Sequence, residues 1–142
     1  MKKSSPAHLR FFFDLNRAHA RAVRRFDASL GGVHGIGLND LHLLHTLEAA
    51  PGHRLRRTDL AQTLGLTASG VTWLLRPLIK RRLVTNEPSA DDGRVTFAVL
   101  TAAGRRLVED AVPSAHEIAS DLLEAHERDD VTRAADMIAR LG

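Results

Sequence analysis

One stretch of this 142-residue sequence gathers hydroxyl, indole and cationic groups at a spacing suited to reading a polyanion. Residues 60–84 read LAQTLGLTASGVTWLLRPLIKRRLV. Val71, Leu74, Leu75 and Leu78 recur at i, i+3, i+4 and i+7, the apolar stripe of a helix. At about 100° per residue, Ser69, Thr72, Trp73, Arg76 and Lys80 fall on the other side. Hydroxyl and cationic side chains bond base edges and phosphates, and an indole can cover a thymine methyl or a sugar. A further cation, Arg94, stands in the turn-forming run 88–94, PSADDGR. It reads either as a groove probe or as an ordinary exposed loop residue. A guanidinium is slim enough for a narrow, strongly negative minor groove.

Other chemistries are less well provided for. Among eight histidines, His42 and His45 stand at i, i+3 near Asp40, a feasible chelating spacing, but a solvated helix face would look the same. No metal and no cofactor are expected. Phe11, Phe12 and Phe13 could line a pocket for an aromatic ligand, with His19, Arg17 and His42 as polar groups, or they could pack in a core or a dimer contact. There is no nucleophile elbow, phosphate-binding glycine loop or zincin motif, and Asp91-Asp92 are adjacent turn formers. The expectation is therefore not an enzyme.

Composition narrows the setting. The length suits one domain that buries its own core. The absence of cysteine excludes disulfides and thiolate metal sites. No run approaches the roughly 18 apolar residues of a membrane span, and the N-terminal stretch lacks the apolar centre of a signal peptide. A cytoplasmic protein without a membrane partner is expected. The formal charge of +3 favours a polyanionic partner.

The elements that must position these groups follow from period and punctuation. The pattern predicts a long helix over 6–30, apolar at Leu9, Phe12, Phe13, Ala20, Val23 and Leu30 and stopped by Gly31-Gly32. A second helix covers 38–50, with Leu41, Leu44 and Leu47 inward and Asn39 or Asp40 near its cap. Pro51-Gly52 ends it. A brief strand is expected at Leu55. Helices over 57–64 and 68–82 flank Gly65, with Thr67 as N-cap of the second, and together describe a helix-turn-helix. The N-terminal part of that second helix, with Ser69, Thr72, Trp73 and Arg76, is expected nearest the bases, and Gly70 is counted among the DNA-binding residues. Lys80, Arg81 and Arg82 are expected nearer the phosphates or free. Pro77 lies inside the helix and deprives the Trp73 carbonyl of its donor.

The period then changes to two. Val95, Phe97 and Val99 alternate with Thr96 and Ala98, and 83–86 can pair with them, a hairpin whose polar tip carries Arg94. After a helix-turn-helix such a hairpin is a wing. Thr101 caps a long helix over 102–127, which Pro113 should kink or divide. Asp129 or Asp130 caps a last helix with Val131, Ala134, Ala135, Ile138 and Leu141 apolar. The fold class expected is mainly α with a small β wing.

Asp59-Leu60-Ala61, Leu64-Gly65-Leu66-Thr67, Val71-Thr72, Leu83-Val84, Asp92-Gly93-Arg94 and Leu100-Thr101-Ala102-Ala103-Gly104-Arg105 stand in the order and spacing of one family. Over about 38–107 the chain resembles the MarR family of bacterial winged-helix transcription regulators. The resemblance implies a single domain: a winged helix-turn-helix lobe over 38–101, and dimerisation helices over 6–37 and 102–142. It implies a homodimer on double-stranded operator DNA, with the recognition helix in the major groove, Arg94 in the minor groove and Asp92 holding Arg94 in position. Repression of transcription, and release by a small-molecule effector bound between dimer region and lobe, are further implications. Three residues depart from the family pattern. Trp73 replaces a basic or small polar residue, Pro77 interrupts the recognition helix, and Arg82 replaces a glycine before Leu83-Val84. An alternative is a winged-helix protein-interaction module without DNA binding. Its mark would be an acidic or apolar outer helix face, against which Arg76, Lys80, Arg81 and Arg82 argue.

Overall fold

The computed structural model describes residues 4–142. Their elements run α1 (Pro6–His34), α2 (Leu38–Ala49), β1 (Arg54–Arg56), α3 (Arg57–Leu64), α4 (Ala68–Lys80), β2 (Val84–Pro88), β3 (Thr96–Leu100), α5 (Ala102–Leu122) and α6 (Arg128–Ala139). This is the expected order and class. The antiparallel sheet has the order β1-β3-β2, with Arg54 opposite Val99 and Val84 opposite Leu100.

Side chains from every element except α6 meet in one core. Leu30 of α1, Leu44 and Leu47 of α2, Leu60 of α3, Leu75 of α4, Val84 of β2 and Val108 of α5 are all fully buried within it. Burying each leucine contributes roughly 1.5–3 kcal/mol relative to exposure. Leu43 is buried too, although it lies off the expected stripe of Leu41, Leu44 and Leu47. The reason is position: α2 runs through the middle and packs against α1, α3, α4, α5 and the sheet. Its start is held by two carboxylates. Asp40 accepts the Gly37 N–H at 2.9 Å, and Asp27 of α1 accepts the Leu38 N–H at 2.8 Å.

Several boundaries differ from expectation. Helix α1 continues through Gly31-Gly32 and ends at Gly35, whose left-handed φ of 68° suits glycine and whose N–H reaches the Gly31 carbonyl. Helical glycines cost about 1 kcal/mol each, too little to end a helix anchored on both sides. The anchors are buried Leu30 before them and, after them, a 3.0 Å hydrogen bond between His34 Nε2 and Ser114 Oγ of α5. Helix α4 stops at Lys80, two residues early, because Arg82 takes a left-handed φ of 59°. Strand β2 starts at Val84 and runs on to Pro88, opposite Thr96, and β3 extends to Leu100.

Helix α5 is continuous through Pro113 but ends at Leu122 rather than 127. Ile118 is its last buried residue, so packing no longer supports the turns beyond. Helix α6 is preceded by Glu127, while Asp129 and Asp130 lie inside its first turn, where carboxylates meet the positive end of the helix. Pro77 and Pro113 both sit on exposed faces, where carbonyls lacking an intrahelical donor can be hydrated.

The long helix α5 docks where the wing begins. Thr101 Oγ1 accepts the Gly104 N–H at 3.0 Å and donates toward the Arg82 and Leu83 carbonyls at 2.8 and 3.0 Å. Gly104 is required there, since a Cβ would lie 2.1 Å from the Leu83 carbonyl oxygen.

Candidate nucleic-acid interface

The helix-turn-helix is built by two local motifs. Leu66 N–H returns to the Ala61 carbonyl at 2.9 Å, closing α3 around Gly65. Thr67 Oγ1 then accepts the Gly70 N–H at 3.0 Å and starts α4. Val71, Leu75 and Leu78 fill the core, and Leu74 is half-buried. Ser69, Thr72, Trp73, Arg76 and Lys80 are exposed on the far side, as their spacing requires, and Trp73 keeps 74% of its surface open. Gly70 is half-buried against Thr67 and Leu66. Ser69, Thr72, Trp73 and Arg76 line one shallow surface depression with Ala68. Lys80 stands apart, at the helix end.

Thr72 is less free than its spacing suggests. Its hydroxyl donates to the Ala68 carbonyl at 3.1 Å and accepts from Arg57 Nη2 at 2.7 Å. Arg57, the first residue of α3, thereby joins the outer face of α4. Sequence reasoning missed it. The basic run Arg54, Arg56 and Arg57 was the available signal, but only the folded turn brings Arg57 to Thr72.

The wing presents Arg94. Ser89 N–H bonds the Val95 carbonyl at 2.8 Å and Val95 N–H bonds the Asp92 carbonyl at 3.0 Å, closing the tip. Asp92 Oδ1 accepts the Arg94 N–H at 3.0 Å and lies 3.6 Å from its Nε. The Arg94 side chain is 95% exposed. An exposed pair of this kind adds little stability, so its effect is on where the guanidinium points. Along the wing strands, Arg54 pairs with Glu87 at 3.3 Å and lies 4.2 Å over the Phe97 ring, tying β1 to both of them.

The basic end of α4 departs from expectation. Arg81 is exposed but not free: Nη1 donates to the Gly35 carbonyl at 2.7 Å and Nη2 to the His34 carbonyl at 3.4 Å. Arg82 holds the left-handed position where the family pattern has glycine, and its carbonyl receives the Thr101 hydroxyl. Both residues serve helix ends before any partner arrives.

Of the ligand candidates, His19 and His42 meet. With Leu66, Gly70, Trp73 and Leu74 they help line a cavity of about 560 Å³ between α1, α2 and the helix-turn-helix. Phe12 is not among its walls and lies exposed near the start of α1, with Phe11 edge-on to it at 5.4 Å. His42 and His45 instead share a smaller, mostly apolar cavity of about 300 Å³ with His116. Among the described residues no group of three or more histidines and carboxylates is arranged to hold a metal, and no helix is long and apolar enough to cross a membrane.

No protein of curated function matches the sequence. Residues 34–95 match the model of the MarR family. Among solved structures, a MarR family transcriptional regulator from Streptomyces coelicolor in complex with DNA is 21% identical. That match has a TM-score of 0.84 and covers 99% of this chain and 88% of that one. A MarR variant from E. coli complexed with operator DNA is 16% identical, with a TM-score of 0.82 and coverage of 96% and 98%. BpsR from Bordetella bronchiseptica, whose DNA binding is regulated by 6-hydroxynicotinic acid, is 20% identical, with a TM-score of 0.80 and coverage of 92% and 97%. At these identities the likeness is one of fold. Residues 34–95 thus match the MarR family model, and the chain as a whole shares the winged helix-turn-helix fold of these structures.

Proposed function

We propose that the protein binds duplex DNA in a sequence-specific manner as a homodimer in the cytoplasm and regulates transcription there, as a repressor. The observation that carries this reading is the pairing of two exposed elements. One is the α4 face with Ser69, Thr72, Trp73 and Arg76, and the other is a wing whose Arg94 is oriented by Asp92. The first suits a major groove and the second the adjacent minor groove. Gly70 lets the α4 start approach closely, and Lys80 reaches phosphate. The DNA complexes among the structural neighbours support the same reading.

The dimer is supported by apolar surface that one chain leaves open: Leu9, Phe12 and Phe13 of α1, and Met137 and Ile138 of α6. Large exposed apolar patches mark association surfaces. Release by a small molecule is supported by the cavity that places His19 and His42 beside Trp73 of the recognition helix, and by the ligand-regulated neighbour. An occupant there would bear directly on α4.

The test is a titration of labelled duplexes from the gene's own upstream region at several salt concentrations. Each phosphate neutralised contributes a slope of roughly −0.9 in log K against log salt, so several contacts per lobe give a steep line. A nearly flat line, or equal affinity for all duplexes, would remove sequence-specific DNA as the partner.

A further inference from the structure

We infer that Arg81 is a positioning residue: it fixes the angle of the recognition helix against α1, and DNA affinity depends on that angle rather than on any contact Arg81 makes with DNA. The inference rests on the DNA-binding reading above.

Three observations converge on the end of α1. Arg81 follows the last residue of α4 and donates two hydrogen bonds to α1, at 2.7 Å to the Gly35 carbonyl and 3.4 Å to the His34 carbonyl. These carbonyls belong to a helix C-terminus, whose last carbonyls lack intrahelical donors and whose dipole favours a cation. A charged fork donating to both is therefore a charge-assisted clamp with a set direction. Second, Gly35 is left-handed at φ 68°, and a Cβ built there would lie 3.4 Å from Arg81 Nη2, so the guanidinium fits closely over the turn. Third, the same turn is held from other sides. His34 bonds Ser114 of α5 at 3.0 Å, and Asp27 of α1 bonds the first N–H of α2 at 2.8 Å.

The end of α1 is thus a joint fixed to α2 and α5, and Arg81 is the polar link that adds α4 to it. Apolar packing of Val71, Leu75 and Leu78 holds α4 in the core but permits rolling and sliding. A directional bond at one end removes that freedom. Two of its five N–H groups are committed to these carbonyls, so the position of the Arg81 guanidinium is set by the end of α1. The sequence reading, which grouped it with Lys80 and Arg82, missed this role.

The experiment compares Arg81→Met, which keeps the stem and removes the donors, with Arg81→Lys, which keeps one charged donor. Trp73, the sole tryptophan, lies on α4 and lines the cavity shared with His19 of α1, so it reports the helix angle without DNA. In free Arg81→Met, acrylamide quenching of Trp73 should change relative to wild type, with helical content preserved. Affinity for the preferred duplex should fall about tenfold, while affinity for a scrambled duplex and the salt slope stay unchanged. Arg81→Lys should fall between. Unaltered quenching together with unaltered affinity would overturn the inference. So would equal losses on both duplexes with the slope reduced by about one, the mark of a phosphate contact. If Arg81→Met fails to fold, Arg81→Lys is read by the same criteria. If wild-type protein binds no duplex, the DNA reading fails by itself and the quenching comparison still decides the joint.

Discussion

Thr72 accepts a hydrogen bond from Arg57 at 2.7 Å, across the turn that separates α3 from α4. The bond makes one polar unit from two helices. Thr72 holds Arg57 against the outer face of α4, where Arg57 presents its remaining N–H groups. Arg57→Ala and Thr72→Val should each weaken binding to the preferred duplex by about 1–3 kcal/mol. Their effects should not add, with a coupling of at least about 0.5 kcal/mol in a double-mutant cycle. Additive losses would mean that the two residues act on DNA separately.

Arg94→Ala should cost about 1–3 kcal/mol per site in DNA affinity and leave the melting temperature unchanged, since the side chain touches nothing in the core. Asp92→Ala should cost less, about 0.5–1.5 kcal/mol, because it releases Arg94 to sample other rotamers before binding. Fluorescence anisotropy with both variants checks the ranking. A larger loss from Asp92→Ala would point to a wing that collapses rather than one that loosens.

Backbone geometry makes two opposite stability predictions near the start of the wing. Arg82→Gly relieves a left-handed residue that costs about 1–2 kcal/mol, offset by about 0.5–1 kcal/mol of extra unfolded-state freedom. The variant should therefore be more stable by up to about 1.5 kcal/mol. Gly104→Ala forces a methyl against the Leu83 carbonyl and should cost about 3 kcal/mol or more. Urea unfolding of both variants reads the two signs.

Phe13 lies 60% exposed near Leu9, on the outer side of α1. If a second copy covers this surface, Phe13→Asp places a charge in an apolar contact. It should raise the dimer dissociation constant at least about a hundredfold. Sedimentation velocity on wild type and variant at equal concentration gives the answer. A wild-type monomer at micromolar concentration would end the dimer reading.

What could be read from the sequence was what depends on local rules. Thr67 and Thr101 cap where their hydroxyls predicted, because an N-cap involves residues three apart. The wing followed from a change of period bounded by turn formers, and α3 from the interval between Pro51-Gly52 and Gly65. The outer face of α4 followed from angular spacing alone. What escaped was set by contacts far apart in the chain. Gly31-Gly32 stays helical because Leu30 and Ser114 hold α1 on either side, and Leu43 is buried because α2 is surrounded. Arg57 and Arg81 differ from other surface arginines only through partners 15 and 46 residues away. His19 and His42 meet across two helices, whereas Phe12, grouped with them by type, points elsewhere.

Helix α6 has twelve residues, and none of them is buried. A helix of that length is marginal in water without a surface to lie on. Its Val131, Met137 and Ile138 are open or half-open, so if a second copy covers them the segment should gain order on association and lose it on separation. Diluting the protein should then reduce far-UV helicity by about one short helix while the winged lobe keeps its near-UV signal. Assembly and the last step of folding would be a single equilibrium, with protein concentration as its control variable.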